Sequence, residues 1–391
     1  MNDVSELPAA VATNLGLIAR SPEEWEEKLV ELGEPKYRAR QVFRWLLRRG
    51  VFNPSEMSDL SLGLRDKLGG LGLRSPVEVA SVKRSQDGTR KLLLELFDGG
   101  RVECVLIPMT RIDADADASA AVEDETESEE GEAKTKVTLC ISTQFGCAMG
   151  CRFCASGRAG LFRGLKAAEI VAQVLVSKRY LEPNEDLKNL VFMGMGEPLH
   201  HYDETARALR LLMNGEGLGM SPRRITVSTV GLVPGIQKLG RDFDGKVGLA
   251  VSLHAPNDGV RSGIMPMNDR YPIGELMQAL RAYPLPRRRR ITIEYTLIRG
   301  VNDRREHALE LSRLLKGLPV KINLIPMNPV EGSGYGAPAA HDVNEFQRLL
   351  SSAGYSCFVR TRRGDEVDAA CGQLALSPEL VELRRRAKSG A

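Results

Sequence analysis

From residue 136 onward the chain repeats one unit: a short run of β-branched and aliphatic residues, a loop, then a helical stretch. The runs are VTLCIS at 137–142, NLVFM at 189–193, RITVST at 224–229, KVGLAVSL at 246–253, ITIEYTL at 291–297 and VKINLI at 320–325. Residues 166–178 and 203–213 read as helices between them. Strands that alternate with helices are joined by crossovers, not by tight hairpins, so neighbouring strands run parallel. The pattern predicts an α/β fold, a (β/α) barrel either open or closed, with functional loops at the strand C-termini. It leaves a doubly wound sheet open. Gly194–Pro198, Ser228, His254 and Asn328 fall at those predicted strand ends.

Upstream, the composition changes. Residues 1–20 read as an N-terminal tail and 21–78 as a small helical accessory domain. Ser21 followed by Glu24 has the form of a capping box, and KYRARQVFRWLLRRG gives an amphipathic helix with Val42, Trp45 and Leu46 on its apolar side. Its arginines fit a solvated face and an RNA-facing one equally. Residues 79–110 read as a β-hairpin and linker, KLLLELFDG and RVECVLIP turning around Gly99-Gly100. Residues 111–135 read as a disordered acidic insertion, because they have almost no large apolar side chain to bury. The core then spans 136–378, followed by a basic tail at 379–391.

The formal charge of +3 hides an asymmetry: residues 113–132 carry ten acidic side chains and no basic one, so the remainder is basic and suited to a polyanion. No run of 18 apolar residues spans a membrane, and the N-terminus lacks the pattern of a secretory signal. Seven cysteines, odd in number and clustered, fit a reducing cytoplasm with metal or thiol chemistry better than a disulfide scaffold.

Cys147, Cys151 and Cys154 stand in C-x3-C-x2-C spacing in a glycine-containing loop beyond the first core strand. Structural zinc takes four protein ligands, and no nearby histidine or aspartate offers the fourth. A [4Fe-4S] cluster held by three thiolates leaves one iron open, where S-adenosylmethionine (SAM) can bind. Zinc with a remote ligand, or three incidental buried cysteines, are the alternatives.

The triplet, with Phe153 before its last cysteine, resembles the radical SAM superfamily, and GMGEP at 194–198 resembles that superfamily's Gly-Glu-Pro segment. The likeness narrows to the RlmN family of RNA methyltransferases over roughly 21–378, the acidic insertion apart. It rests on VECVLIP around Glu103, TLCISTQFGCAMGCRFC at 138–154, VFMGMGEPL at 191–199, ITVSTVG at 225–231, AVSLHAP at 250–256, NLIPMNP at 323–329 and TRRGDEVDAACGQL at 361–374. The resemblance implies a radical SAM partial (β/α)6 TIM-type barrel with a small N-terminal helical accessory domain and a linking β-hairpin. It implies cluster ligation by Cys147, Cys151 and Cys154, and SAM contacts at Gly196, Glu197, Ser228, Ser252, Leu253, His254 and Asn328. It also implies that Cys371 carries the methyl group, that Cys140 releases the product with a disulfide to Cys371, and that Glu103 is the general base. The implied reaction is methylation of C2 of adenine 2503 in 23S rRNA and of adenine 37 in tRNAs, with electrons from a protein such as flavodoxin or ferredoxin; a monomer is the default expectation.

The acidic segment departs from the compact connection usual in the family and bears most on Glu103. Cys104 and Cys357 read as core residues, and the adjacent His200 and His201 do not establish a metal site. Arg287–Arg290 and Arg384–Arg386 are candidate phosphate contacts, with a solvated surface as the alternative. The target adenine must leave its stack for C2 to be reached. Two rivals share these features: a C8 methyltransferase of the same adenosine, and a noncatalytic RNA-binding protein with a structural metal centre.

Overall fold

The computed structural model describes residues 9–109, 134–360 and 363–374. The acidic insertion, apart from its last two positions, and the basic tail with Arg384–Arg386 lie outside the described residues.

The chain opens with α1 (Ala9–Ile18), α2 (Pro22–Glu31), α3 (Arg38–Leu47) and α4 (Leu62–Gly70). The described part of the expected tail is therefore largely helical. Its Leu15, Leu17 and Ile18 are buried, and Asn14 exchanges two hydrogen bonds with the backbone of Arg74 at 3.2 and 3.0 Å. Ser21 and Glu24 form the capping box at the start of α2: the Glu24 N–H donates to Ser21 Oγ at 3.2 Å and the Ser21 N–H to Glu24 Oε2 at 2.7 Å. Helix α3 buries Val42, Phe43, Leu46 and Leu47. On its polar face, Arg44 pairs with Glu216 of the core and Arg49 stacks 4.0 Å over Trp45, so part of that arginine face is engaged within the protein.

Ten strands form one sheet. Four of them, β1 (Val77–Arg84), β2 (Arg90–Leu96), β3 (Arg101–Pro108) and β4 (Thr135–Cys140), run as an antiparallel meander. The expected two-stranded hairpin is thus β2–β3 with an extra strand on its outer edge. From β4 the sheet continues in parallel through β7 (Glu185–Phe192), β8 (Ile225–Thr229), β9 (Gly248–Ser252), β10 (Ile291–Leu297), β11 (Val320–Pro326) and β12 (Ser356–Val359). The parallel neighbours follow chain order, which is the topology of a (β/α) series and not of a doubly wound sheet, where order reverses. Seven strands take part where the sequence pattern picked out six; β12 is only four residues long, too short to stand out. A separate hairpin, β5 (Gln144–Gly146) with β6 (Leu161–Gly164), brackets the cysteine loop.

The connecting helices α6 (Ala167–Ser177), α7 (Tyr202–Met213), α8 (Val233–Phe243), α9 (Asp258–Ile264), α10 (Ile273–Arg281), α11 (Arg305–Leu314) and α12 (Ala340–Ser352) accompany the strands; α5 (Ala155–Ala159) follows the cysteine loop. Every residue of α6 is buried. One hydrophobic core runs from α1 to α12 without a break, so the accessory helices and the strand region fold on shared burial. Among the described residues, no helix is long and apolar enough to cross a membrane.

Side-chain alternation along the parallel strands positions the site. In β10, Ile291, Ile293, Tyr295 and Leu297 point into the core, while Thr292, Glu294 and Thr296 line cavities on the other face. Lys321 and Asn323 in β11, Thr138 and Cys140 in β4, and Thr226 and Ser228 in β8 do the same.

Candidate active site

Two cavities occupy that inner face. The first, of about 150 Å³, sits at the C-terminal ends of the parallel strands. Cys147, Cys151 and Cys154 line it, together with Gly196, Glu197, Ser228, Ser252, His254, Asn328 and Cys371. Of the expected SAM-contacting residues only Leu253 is absent from its walls. That side chain is fully buried in the core, and the residue takes part through its backbone, its N–H donating to the Glu294 carbonyl at 3.1 Å.

The cysteine loop is held by its own backbone. The Cys147 N–H donates to Gly160 O at 3.1 Å and the Arg152 N–H to Ile264 O at 3.0 Å. A Cβ at Gly157 would lie 2.9 Å from the Cys151 backbone, so only glycine lets the loop close this tightly. Burial pushes the Cys147 thiol up to about 12 and the Cys151 and Cys154 thiols above the usual range, with neighbouring thiols adding to the shift at Cys147 and Cys151. Such thiols ionise only when an electropositive centre takes them as ligands. Among the described residues, no group of three His, Cys, Asp or Glu is arranged to hold a metal ion. The donor chemistry of three thiols around one shared cavity, two of them buried and one half-buried, nevertheless fits an iron–sulfur centre larger than a single ion.

The Gly-Glu-Pro loop is equally fixed. Gly196 has φ +104° and a Cβ there would lie 2.5 Å from Gln144 Cβ. The Glu197 N–H donates to Gln144 Oε1 at 2.9 Å, and both carboxylate oxygens accept backbone N–H groups, Leu199 at 3.0 Å and Val230 at 2.8 Å. Burial outweighs these bonds and pushes the carboxyl up to about 7. His200 and His201 both meet Gln144 Nε2, at 3.0 and 2.9 Å, so they brace this loop through the glutamine.

His254 takes a left-handed backbone, φ +55°. Asn302 secures it by donating to the His254 and Thr296 carbonyls, both at 2.7 Å. The Thr296 N–H donates to His254 Nδ1 at 2.9 Å, which leaves the ring proton on Nε2. Burial, helped by Arg261, pushes its pKa down to about 3, so the ring is neutral. Arg261 is itself fully buried, tying strand ends together through Leu253 O, Val230 O and Asn268 Oδ1. The Asn328 Nδ2 donates to Cys371 O at 3.0 Å, while its Oδ1 is buried with no hydrogen-bond partner among the described residues. An orphaned acceptor in this cavity fits a ligand that brings donors, as the amino groups of SAM would.

The second cavity, about 190 Å³, continues along the inner face toward the N-terminal strand ends. Cys140 lines it, as do five cations: Arg223, Arg224, Lys321, Arg360 and Arg363. None was singled out by sequence. Arg287–Arg290 line neither cavity; Arg289 donates to Lys246 O at 3.3 Å and Arg290 to Ser356 Oγ at 2.7 Å. Met193, Glu294, Ile325, Asn328 and Cys371 line both cavities. The exposed Cys371 thus stands at their junction.

The segment carrying Cys371 is moored at both ends. Upstream, Gly364 N–H donates to Asp87 Oδ2 at 3.0 Å and Lys91 Nζ to Asp368 O at 3.1 Å, both on the β1–β2 side. Downstream, Ala155 N–H donates to Gly372 O at 2.9 Å and Ser156 Oγ to Leu374 O at 2.6 Å, just beyond Cys154. Glu103 lies on the cavity-side face of β3, by register with Ile107, Thr138 and Cys140, but lines neither cavity. Lys91 holds its carboxylate at 2.9 Å. All seven cysteines are free, so the disulfide that the expected release step leaves between Cys140 and Cys371 is not formed here; the two thiols line the same cavity, and burial, helped by Cys371, pushes the Cys140 thiol up. Cys104 meets Ser177 Oγ at 3.3 Å and Cys357 lies in the core, as structural residues do.

Residues 141–312 match the radical SAM superfamily, and residues 15–71 match the ribosomal RNA large subunit methyltransferase N-terminal domain. The chain is 57% identical over 384 residues to the dual-specificity RNA methyltransferase RlmN of Sorangium cellulosum, covering 96% of this chain and 99% of that one. It is 44% identical over 362 residues to its counterpart in Geobacter sulfurreducens, covering 93% and 92%. Among solved structures, a radical SAM methyltransferase from Sphaerobacter thermophilus superposes with a TM-score of 0.82 at 43% identity, over 92% of this chain and 98% of that one. The N-terminal domain of a ribosomal RNA large subunit methyltransferase, a radical SAM core and near-complete coverage by these relatives agree on one lineage: the chain belongs to the bacterial RlmN family of radical SAM RNA methyltransferases.

Proposed function

We propose that the chain methylates C2 of adenine 2503 in 23S ribosomal RNA, and C2 of an adenine in tRNA, through a carbon first carried on Cys371. The observation that carries this reading is the position of Cys371 between a thiol-lined cavity and a cation-lined one. A residue that collects a methyl group on one side and delivers it on the other needs that junction.

Cys147, Cys151 and Cys154 would hold the cluster. Gly196, Glu197, Ser228, Ser252, His254, Asn328 and the backbone of Leu253 would hold SAM. When bound, these groups supply the one-electron chemistry that an electron-poor ring carbon requires. Cys371 accepts the methyl group at sulfur and brings that carbon to the base. Glu103, paired with Lys91 outside both cavities, must swing from that pair to take the C2 proton once the carbon–carbon bond has formed, and Cys140, lining the same cavity as Cys371, would attack the Cys371 sulfur, so that the carbon–sulfur bond breaks as a Cys140–Cys371 disulfide forms. Arg223, Arg224, Lys321, Arg360 and Arg363 meet the RNA backbone around the extruded adenine. A low-potential protein of the flavodoxin or ferredoxin type supplies electrons to the monomer in the cytoplasm. The strand order, with three antiparallel strands appended to a parallel series, supports a partial barrel with an accessory region.

The test is anaerobic incubation of cluster-reconstituted protein with methyl-deuterated SAM, reductant and rRNA or tRNA fragments, followed by nucleoside mass spectrometry. Labelled 2-methyladenosine is expected. Labelled 8-methyladenosine, or no labelled nucleoside from either RNA with the cluster verified intact, overturns the reading.

A further inference from the structure

Glu294 has no part in the chemistry above, yet it is a buried carboxyl at the junction of the two cavities. It lies mid-strand in β10, is 5% exposed, and lines both cavities beside Cys371. A carboxyl buried to that degree is costly unless something binds it. Its Oε1 accepts from Asn323 Nδ2 at 2.9 Å, across the strand register in β11. Among the described residues, Oε2 accepts no hydrogen bond. The neighbours that act on it, Asn323, Arg360 and Lys321, all line the second cavity and not the first. Because Glu294 lines the RNA-side cavity as well as the first, its acceptor capacity is available at the junction beside Cys371.

We infer that Glu294 reads the exocyclic amino group of the target adenine, a reading that rests on the function proposed above. A carbon carried on Cys371 can reach C2 only if the base lies at the junction. Adenine's N–H donors, when it is linked to ribose, are the two on N6, set across N1 from C2, on the six-membered ring. A carboxylate can only accept, so N6 is its one good partner on that base. Guanine offers a carbonyl oxygen at the same position, and two acceptors facing each other in a buried site exclude it. Asn323 fixes Oε1 from the neighbouring strand, which leaves Oε2 to accept from the base. Glu294 is thus a specificity residue, placed to choose the base and hold its six-membered ring toward Cys371.

The experiment compares two RNA fragments, one with adenosine at the target position and one with purine riboside, which has hydrogen in place of the amino group. With wild-type protein, kcat/KM should fall on the order of 10- to 100-fold on the purine substrate, the usual loss when a charged acceptor is left without its donor. Glu294→Ala should treat the two RNAs alike, within about threefold, by the same logic. Glu294→Gln retains an accepting oxygen and a partner for Asn323, and should keep an intermediate preference. Since each variant is read as a ratio of its own rates, partial loss of fold does not mimic the result. Full retention of the preference in Glu294→Ala overturns the inference, as does a rise in KM for SAM with the preference intact. Wild-type protein that methylates neither RNA would instead sink the proposed function.

Discussion

The two cavities share five residues and differ in how their walls are made. Around the thiol-lined cavity, side chains are short or fully buried and pinned by backbone hydrogen bonds: Glu197 by Leu199 and Val230, His254 by Thr296, and the strand ends by Arg261. The second cavity is lined by long cations from several segments, with Arg223 exposed to solvent. The first is suited to an invariant small ligand, where every loose torsion costs affinity. The second is suited to a polyanion, which tolerates variation in where each charge sits. Substitutions should therefore act steeply and locally in the first cavity, and gradually in the second.

Gly196→Ala should produce the largest effect. The residue has φ +104° and no room for a Cβ, so the loop must shift or carry strain of about 3 kcal/mol. SAM affinity should weaken on the order of 100-fold, measured by equilibrium binding to cluster-loaded protein. RNA binding without SAM should stay within about twofold, since the second cavity does not depend on this loop. A variant that binds SAM normally would show that the first cavity is softer than its hydrogen bonds imply.

His254 gives the next effect. Its pKa lies at about 3 in the folded chain against an ordinary 6.5. Between those values the unfolded chain binds a proton and the folded chain does not, so its contribution to stability is complete above the upper value and lost as pH falls through the window. Between about pH 7 and about pH 5 the wild type should lose about 2 kcal/mol from this residue. His254→Asn, whose side chain tolerates a left-handed backbone, should remove that part of the slope in urea unfolding at the two pH values. An unchanged slope would mean that the imidazole is not kept neutral by its surroundings.

The same contrast explains what could be read in the sequence. The cysteine triplet, Gly194–Pro198, Ser228, His254 and Asn328 are contiguous motifs or strand-end residues, and spacing along the chain marks them. Glu294 and Asn323 left only a faint mark, as polar residues at alternate positions in strands that otherwise read as buried. The cations left none. Arg287–Arg290 is a dense run and drew attention, whereas Arg223 and Arg224, Lys321, and Arg360 and Arg363 are ones and twos that meet only through the topology. Lys91, which joins Glu103 to the Cys371 segment, is a single lysine in a strand and is identified by its two contacts alone. Helix α1 is not legible because a chain end with small apolar residues looks like a tail until α6 and the core give it something to cover.

The smallest expected effects test the second cavity. Arg223 and Arg224 lie in the turn just before β8, at the edge of the cavity's lining. If they meet phosphates as separate charges, Arg223→Ala and Arg224→Ala should each weaken RNA binding only several-fold at moderate salt, and each should lower the slope of log affinity against log salt by about one. The double variant should show the product of the single effects, because long side chains reaching a flexible polyanion do not depend on one another's position. Turnover at saturating RNA should change by less than about threefold, since neither residue touches the base or Cys371. A steep, non-additive loss with an unchanged salt slope would mean that these arginines grip one fixed group. The second cavity would then be as rigidly made as the first, and the division between them would lie in charge alone.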